Sequence, residues 1–243
     1  MREKAMKKNL VKALMLVVLA GFVACNDDDP APQGVGDAYV ISKMAIVDDE
    51  TQQEAVVYGL RIEAAGYYGT LSSVQVKEGS NTYTLEKDTE SGAFYYETED
   101  YSITPPNDGT YTFTFNFATG EIYTGAEALS DDVLLPADIT LAEYTNDKIE
   151  LEWEEVDDAD AIYIQLKEAD GDLVFRSLSN SYSYLEGDET EYTITQSTGS
   201  WESGYTMNDG ATYTVEVIAL LADGTGALQA VSTGATTVVW GVE

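Results

Sequence analysis

Histidine is absent from the chain. That removes the commonest general base near neutral pH and the commonest transition-metal ligand. Cysteine occurs once, at Cys25, so neither an intramolecular disulfide nor a thiolate zinc cluster can form. Positive charge is scarce: 12 Lys+Arg face 44 Asp+Glu, a formal net charge of −32. Residues 1–24 hold five of those bases and one acid, so the rest of the chain carries 7 bases against 43 acids, a charge of −36. Phosphate backbones and anionic lipid surfaces repel such a molecule, which argues against nucleic acid as a partner. The acidity reads as a solvated surface that keeps an exposed protein apart from its neighbours. No P-loop, dinucleotide fingerprint or nucleophile elbow is present, and no cofactor is implied. Long amphipathic helical patterns are missing too, whereas Tyr and Thr are abundant; the expectation is an all-β chain.

The one sustained apolar run, residues 13–24, is too short for a comfortable transmembrane helix. It follows Lys7, Lys8 and Lys12 and ends at a small residue before Cys25, the layout of an export signal; Met6 would serve as a start as well as Met1. Phe22-Val23-Ala24-Cys25 resembles the lipobox of bacterial lipoproteins, which implies cleavage before Cys25 and lipid attachment to it. Asn26, Asp27, Asp28 and Asp29 follow at once and resemble the surface-export signal of lipoproteins in the Bacteroidota. These resemblances imply an outer-membrane lipoprotein exposed at the cell surface. Residues 25–36 are acidic and then Pro/Gly-rich without periodicity, and are expected to be a flexible tether.

Two segments organise the remainder. Asn107-Asp108-Gly109 leads into Tyr111, Phe113, Phe115 and Phe117, alternating with Thr112, Thr114 and Asn116. About a hundred residues later Asn208-Asp209-Gly210 leads into Tyr213, Val215, Val217 and Ala219 on one face, with Thr214 and Glu216 on the other. Alternation of this kind puts one set of side chains on a buried face. Both read as the same late strand in two tandem β-sandwich domains, residues 37–130 and 136–243. In the first, Val40, Met44 and Ile46 suggest an opening strand, and Val56, Tyr58, Leu60 and Ile62 the next. Val74/Val76 and Tyr83/Leu85 flank a hairpin at Glu78–Asn81, Phe94–Tyr96 is a short strand, and Ile122–Ala126 returns after Gly120. Pro105 and Pro106 cannot donate to a ladder and belong in a loop. This half has the general look of an immunoglobulin-like fold. Val133-Leu134-Leu135 is too apolar for a free linker and is expected to pack between the domains or to start a strand.

In the second half Ile149–Trp153, Val156, Ala159 and the Met207–Ala219 segment resemble a fibronectin type III domain over nearly all of residues 136–242. The resemblance implies a core Trp153 on the second strand and a tyrosine corner at Tyr213, with Tyr111 as its counterpart in the first half. Met207 stands for the usual Leu and Asp209 for the usual Pro; Ile162 stands where a Tyr is usual, with Tyr163 one place late.

For chemistry, Glu168, Asp170 and Asp172 beside Gly171 faintly suggest a calcium loop, but the terminal Glu of that motif is missing and Asp-Gly is a standard hairpin pair; the turn is the preferred reading. Glu154/Glu155 and Asp157/Asp158 are adjacent pairs that point apart or into water, unlike paired glycosidase acids. The candidate ligand-binding residues are loop aromatics: Trp201 and Tyr205 among Gly and Ser, and Tyr67 and Tyr68 between Gly66 and Gly69. Flat aromatic faces on a rigid sandwich suit sugars or partner proteins. Against this, Trp201 also suits a cap on the open end of the core, and Tyr67 and Tyr68, at a strand end, suit packing onto the sandwich edge. The expectation is a non-catalytic, lipid-anchored adhesion or recognition module. A glycan-binding accessory protein of a polysaccharide-uptake system and a fimbrial or spacer subunit using free strand edges are the alternatives.

Overall fold

The computed structural model describes residues 30–89, 91–178 and 184–241. Every regular element among them is a β-strand. The N-terminal half comprises β1 (Gln33–Asp48), β2 (Gln53–Tyr67), β3 (Leu71–Glu78), β4 (Asn81–Thr84), β5 (Glu86–Lys87), β6 (Phe94–Glu97), β7 (Gly109–Phe117) and β8 (Ile122–Leu129). The C-terminal half comprises β9 (Ile139–Thr145), β10 (Lys148–Trp153), β11 (Ala161–Glu168), β12 (Leu173–Arg176), β13 (Leu185–Glu186), β14 (Glu191–Ile194), β15 (Ser200–Trp201), β16 (Thr212–Ala222) and β17 (Leu228–Val239).

Alternation dictates the inner faces. Tyr111, Phe113, Phe115 and Phe117 of β7 are all buried, at a gain of about 1.5–3 kcal/mol for each such side chain. They pack with Leu60, Ile62, Val74 and Val76 between the sheet β4-β3-β7-β8 and the strands β1, β2 and β6. The second core sets Trp153, Leu151 and Ile149 of the sheet β14-β10-β9 against Ile162, Ile164, Leu166, Val215 and Val217. Tyr163, one residue out of the usual register, turns to the opposite face of β11.

The two sandwiches share a sheet. Val40–Lys43 of β1 pair in parallel with Ala230–Thr233 of β17, while the other edge of β1 pairs antiparallel with β2. One ladder therefore runs β15-β12-β11-β16-β17-β1-β2-β6-β5 through both halves. The chain between them is stitched to this seam. Val133 packs on the first core, Leu134 is buried in the second, and Ser42 Oγ donates to the Leu134 carbonyl at 2.6 Å. The buried Gln229 amide accepts from Ser130 N–H at 2.7 Å and donates to the Ala128 carbonyl at 3.2 Å.

Several boundaries differ from expectation. Gln33–Gly36, expected in the tether, are the start of β1 and pair with Ala64–Tyr67. Gly34 and Gly36 are small because aromatic rings rest on them: a Cβ there would lie 2.3 Å from the Phe115 ring and 2.2 Å from Phe113. The last strand spans Leu228–Val239, long enough to pair with β16 along one edge and with β1 along the other. Met44 and Ile46 lie in β1 but are about half exposed, 49% and 47%, since the β1–β2 hairpin runs on past its pairing with β17.

Candidate functional site

Two of the aromatic candidates, Trp201 and Tyr205, are packed against the second core. Trp201 lies between Phe175, centroids 4.8 Å apart, and Tyr205, stacked at 6.2 Å and 4°. Its Nε1–H donates to the Thr195 carbonyl at 3.0 Å. The Tyr205 hydroxyl donates to Glu168 at 2.7 Å and lies 3.0 Å from that of Tyr213. Tyr213 Oη accepts from Asn208 N–H at 3.0 Å, five residues upstream, the bond expected of a tyrosine corner. Trp201 and Tyr205 thus cap the second core. The counterpart expected at Tyr111 is built differently: its hydroxyl meets that of Tyr83, whose ring lies 6.0 Å away, because β4 brings an aromatic side chain to that position. Tyr67 and the β8 residue Tyr123 line a small cavity of about 290 Å³ beside Asp37. Tyr68 is 62% exposed, with φ at 59°. Glu168, Asp170 and Asp172 bring carboxylate oxygens within 4.8 Å at the β11–β12 turn, where Gly171 N–H closes on the Glu168 carbonyl. Glu154, Glu155, Asp157 and Asp158 are exposed. Cys25 and Asn26–Asp29 lie outside the described residues.

A site that alternation alone did not bring forward lies on the outer face of the shared sheet. When Leu60 and Ile62 of β2 face the core, Gly59, Arg61 and Glu63 must face the other way. Arg61 is 2% exposed; its Nε donates to Glu63 at 2.6 Å and its Nη1 to Glu97 at 2.7 Å. Tyr39 Oη donates to Glu63 at 3.0 Å and Tyr101 Oη to Glu97 at 3.2 Å. Burial opposes the Arg61 charge, but the surrounding Tyr39, Glu63 and Glu97 outweigh it and hold its pKa above the usual value. Burial, then the neighbouring Glu97 charge, pushes the Tyr101 phenol well up. Tyr101 rests over Gly59, where a Cβ would meet its ring at 3.2 Å, and Lys43 Nζ sits 3.8 Å from its centroid.

Lys43, Arg61, Glu97 and Tyr101 form one wall of a groove of about 660 Å³. The C-terminal half supplies the other wall with Gln165 and Lys167 of β11 and Glu216 and Ile218 of β16. Lys167 is paired with Glu216 at 2.5 Å. Tyr95 and Glu97 of β6 close the far end. From β11 to β6 the groove crosses six adjacent strands, about 24 Å at about 4.8 Å per strand. Arg61 and Gln165 both line the groove, and each carries a buried donor, Nη2 and Nε2, with no hydrogen-bond partner among the described residues. Arg61 and Glu63 within the apolar run from Val56 to Gly66, and Gln165 between Ile164 and Leu166, are the sequence signals that mark this face.

No protein-family model and no curated protein matches the chain. Several solved structures resemble it at low similarity. One is a biofilm-associated protein, BSP domain, with 13% identity over 75% of this chain and 28% of that one, TM-score 0.25. A second is SGBP-B of the Bacteroides ovatus mixed-linkage glucan utilization locus, solved with a mixed-linkage heptasaccharide, with 14% identity over 91% and 69% of the two chains, TM-score 0.20. A third is chicken CNTN1 FN1–FN3, with 11% identity over 74% and 62%, TM-score 0.28. The chain spans little more than a quarter of the biofilm-associated protein.

Proposed function

We propose that this chain is a non-catalytic recognition protein, carried to the cell surface and held there by a lipid on Cys25, and that it binds a glycan in the groove across its shared sheet. The observation that carries the reading is the groove itself. Aromatic rings, a buried guanidinium and a buried amide lie together on one rigid sheet, with two donors left unpaired. A leftover buried donor costs about 1–3 kcal/mol, which a ligand oxygen relieves. Binding sites combine such convergent polar groups with aromatic surface. The absence of histidine and the separation of the exposed acid pairs from this face favour recognition over hydrolysis.

The test is binding of the purified chain to a panel of neutral and acidic polysaccharides, with melting curves as a check on folding. Tyr95→Ala with Tyr101→Ala should abolish detectable binding, whereas Trp201→Ala should lower the melting temperature and leave binding unchanged. Loss of binding on Trp201→Ala alone, hydrolysis of any polysaccharide, or no binding at all would overturn the reading.

A further inference from the structure

We infer that the groove takes a neutral, polyhydroxylated sugar chain, whose ring hydroxyl oxygens accept from Arg61 Nη2 of the N-terminal half and Gln165 Nε2 of the C-terminal half. This rests on the groove being the binding face. The choice of ligand class follows from which charges in the groove are already committed. Lys43, Arg61 and Lys167 are three of the seven bases that remain after residue 24, so the groove is where this acidic chain concentrates its cations. Four carboxylates, Glu86, Glu97, Glu99 and Glu216, line the same groove and leave it net negative. Arg61 is bonded to Glu63 and Glu97, and Lys167 to Glu216, so neither is an open counter-charge. Lys43 alone has no ion-pair partner among the described residues, and it lies on the Tyr101 ring. An acidic ligand would meet one open ammonium within a negative field. A hydroxyl donates and accepts at once, so a sugar can take the unpaired N–H groups and give its own protons to the exposed Glu86 and Glu99. Tyr95, half-buried at the far end, offers ring surface to the sugar's C–H face. Because the two donors come from strands β2 and β11, separated in the ladder by β1, β17 and β16, they contact different rings of an extended chain rather than one sugar.

The test uses the purified full chain with a soluble neutral glucan, a xylan, a mannan, polygalacturonate and alginate, each at low and high salt. The expected result is binding of at least one neutral polymer with little salt dependence. Gln165→Leu should weaken it about tenfold, the worth of one well-placed hydrogen bond. Lys43→Gln should leave the salt dependence of binding unchanged, because a neutral ligand carries no charge for that ammonium to meet. Binding confined to the uronate polymers, falling as salt rises and weakened by Lys43→Gln, would overturn the neutral-ligand inference and leave the groove as the binding face. Binding to none of the five polymers, or binding indifferent to both Gln165→Leu and Tyr95→Ala, would overturn the groove reading and this inference with it.

Discussion

Replacing Gly36 by Ala tests whether residues 33–36 are a strand or a linker, because the two cases predict opposite signs. In a flexible linker, Gly→Ala is neutral or stabilises by about 0.4–1 kcal/mol, since it narrows the unfolded ensemble. In β1, the new Cβ would fall 2.2 Å from Phe113 Cε1 and 2.3 Å from its Cδ1. Carbon atoms rest about 3.5–4.0 Å apart, so the ring would have to retreat by more than about 1 Å. It has little room to do so. Phe113 is 1% exposed and stacks on Phe115 at 5.8 Å and 11°. Phe115 in turn leans on Gly34, where an added Cβ would lie 2.3 Å away. Overpacking of this kind costs about 1–3 kcal/mol. For a chain of this size that is a fall in Tm of about 2–12 °C, at about 2–4 °C per kcal/mol. Urea unfolding should show a lowered midpoint at constant slope. Phe113→Leu should partly relieve the clash, so the double variant should be more stable than the two single losses predict, by at least about 0.5 kcal/mol. A Gly36→Ala protein as stable as the parent, or strict additivity in the double variant, would refute the packing argument.

Two further outcomes follow from buried polar groups. Tyr213→Phe removes the oxygen that accepts from Asn208 N–H and meets Tyr205, and should cost about 1–3 kcal/mol in urea unfolding; Tyr111→Phe, which affects only the contact with Tyr83, should cost less. Asp37 and Glu127 share a hydrogen bond near the seam, with Leu228 N–H donating to Asp37 and Ala38 N–H to Glu127. Two carboxyl groups bond only if one keeps its proton, and burial, reinforced by the neighbouring acids, raises both pKa values. The folded state thus holds a proton that the unfolded chain releases at about pH 4. The pair's contribution to stability is full below that pH and declines as pH rises through the raised pKa, by at most about 1.4 kcal/mol per pH unit for each proton. Glu127→Gln should flatten that decline in melts run at a series of pH values, and parallel curves for parent and variant would refute the shared proton.

What the sequence showed plainly was the inner faces of the strands that close the two cores. Period-two alternation put Phe113, Phe115, Val215 and Val217 in cores, and turn residues placed a hairpin at Gly79. What it hid was of three kinds. The pairing of Val40–Lys43 with Ala230–Thr233 joins segments about 190 residues apart, and a strand's period says nothing about who lies at its edge. Gly34 and Gly36 read as flexibility because composition reports backbone freedom, whereas their role is the space they leave for rings. Small flanking residues left Trp201 open to two readings, ligand platform or cap on the core, and Tyr205 to the first; Phe175, Glu168 and Tyr213 hold the pair in place as a cap. The groove was missed for a related reason. Its residues sit on the face that alternation assigns to solvent, and only the burial of Arg61, Glu63 and Gln165 shows that this face is enclosed.

The hidden pairing is also what makes the groove. Arg61, Tyr95 and Tyr101 come from the N-terminal half and Gln165, Lys167 and Glu216 from the C-terminal half, so two sandwiches free to rotate would scatter them. The seam opposes rotation at three levels: the β1–β17 ladder, the Gln229 amide bridging Ala128 and Ser130, and the Ser42 hydroxyl on the Leu134 carbonyl. On the outer face Tyr39 and Ile41 of β1 pack with Tyr163, Ile218 and Val231, adding an apolar contact that neither half has alone. Loosening these contacts would cost the buried surface at once, so the walls of the groove are set before any ligand arrives, and binding there avoids most of the ordering cost that a hinged pair of domains would incur. That is the physical reason to look for recognition across the shared sheet rather than in the loops at either end.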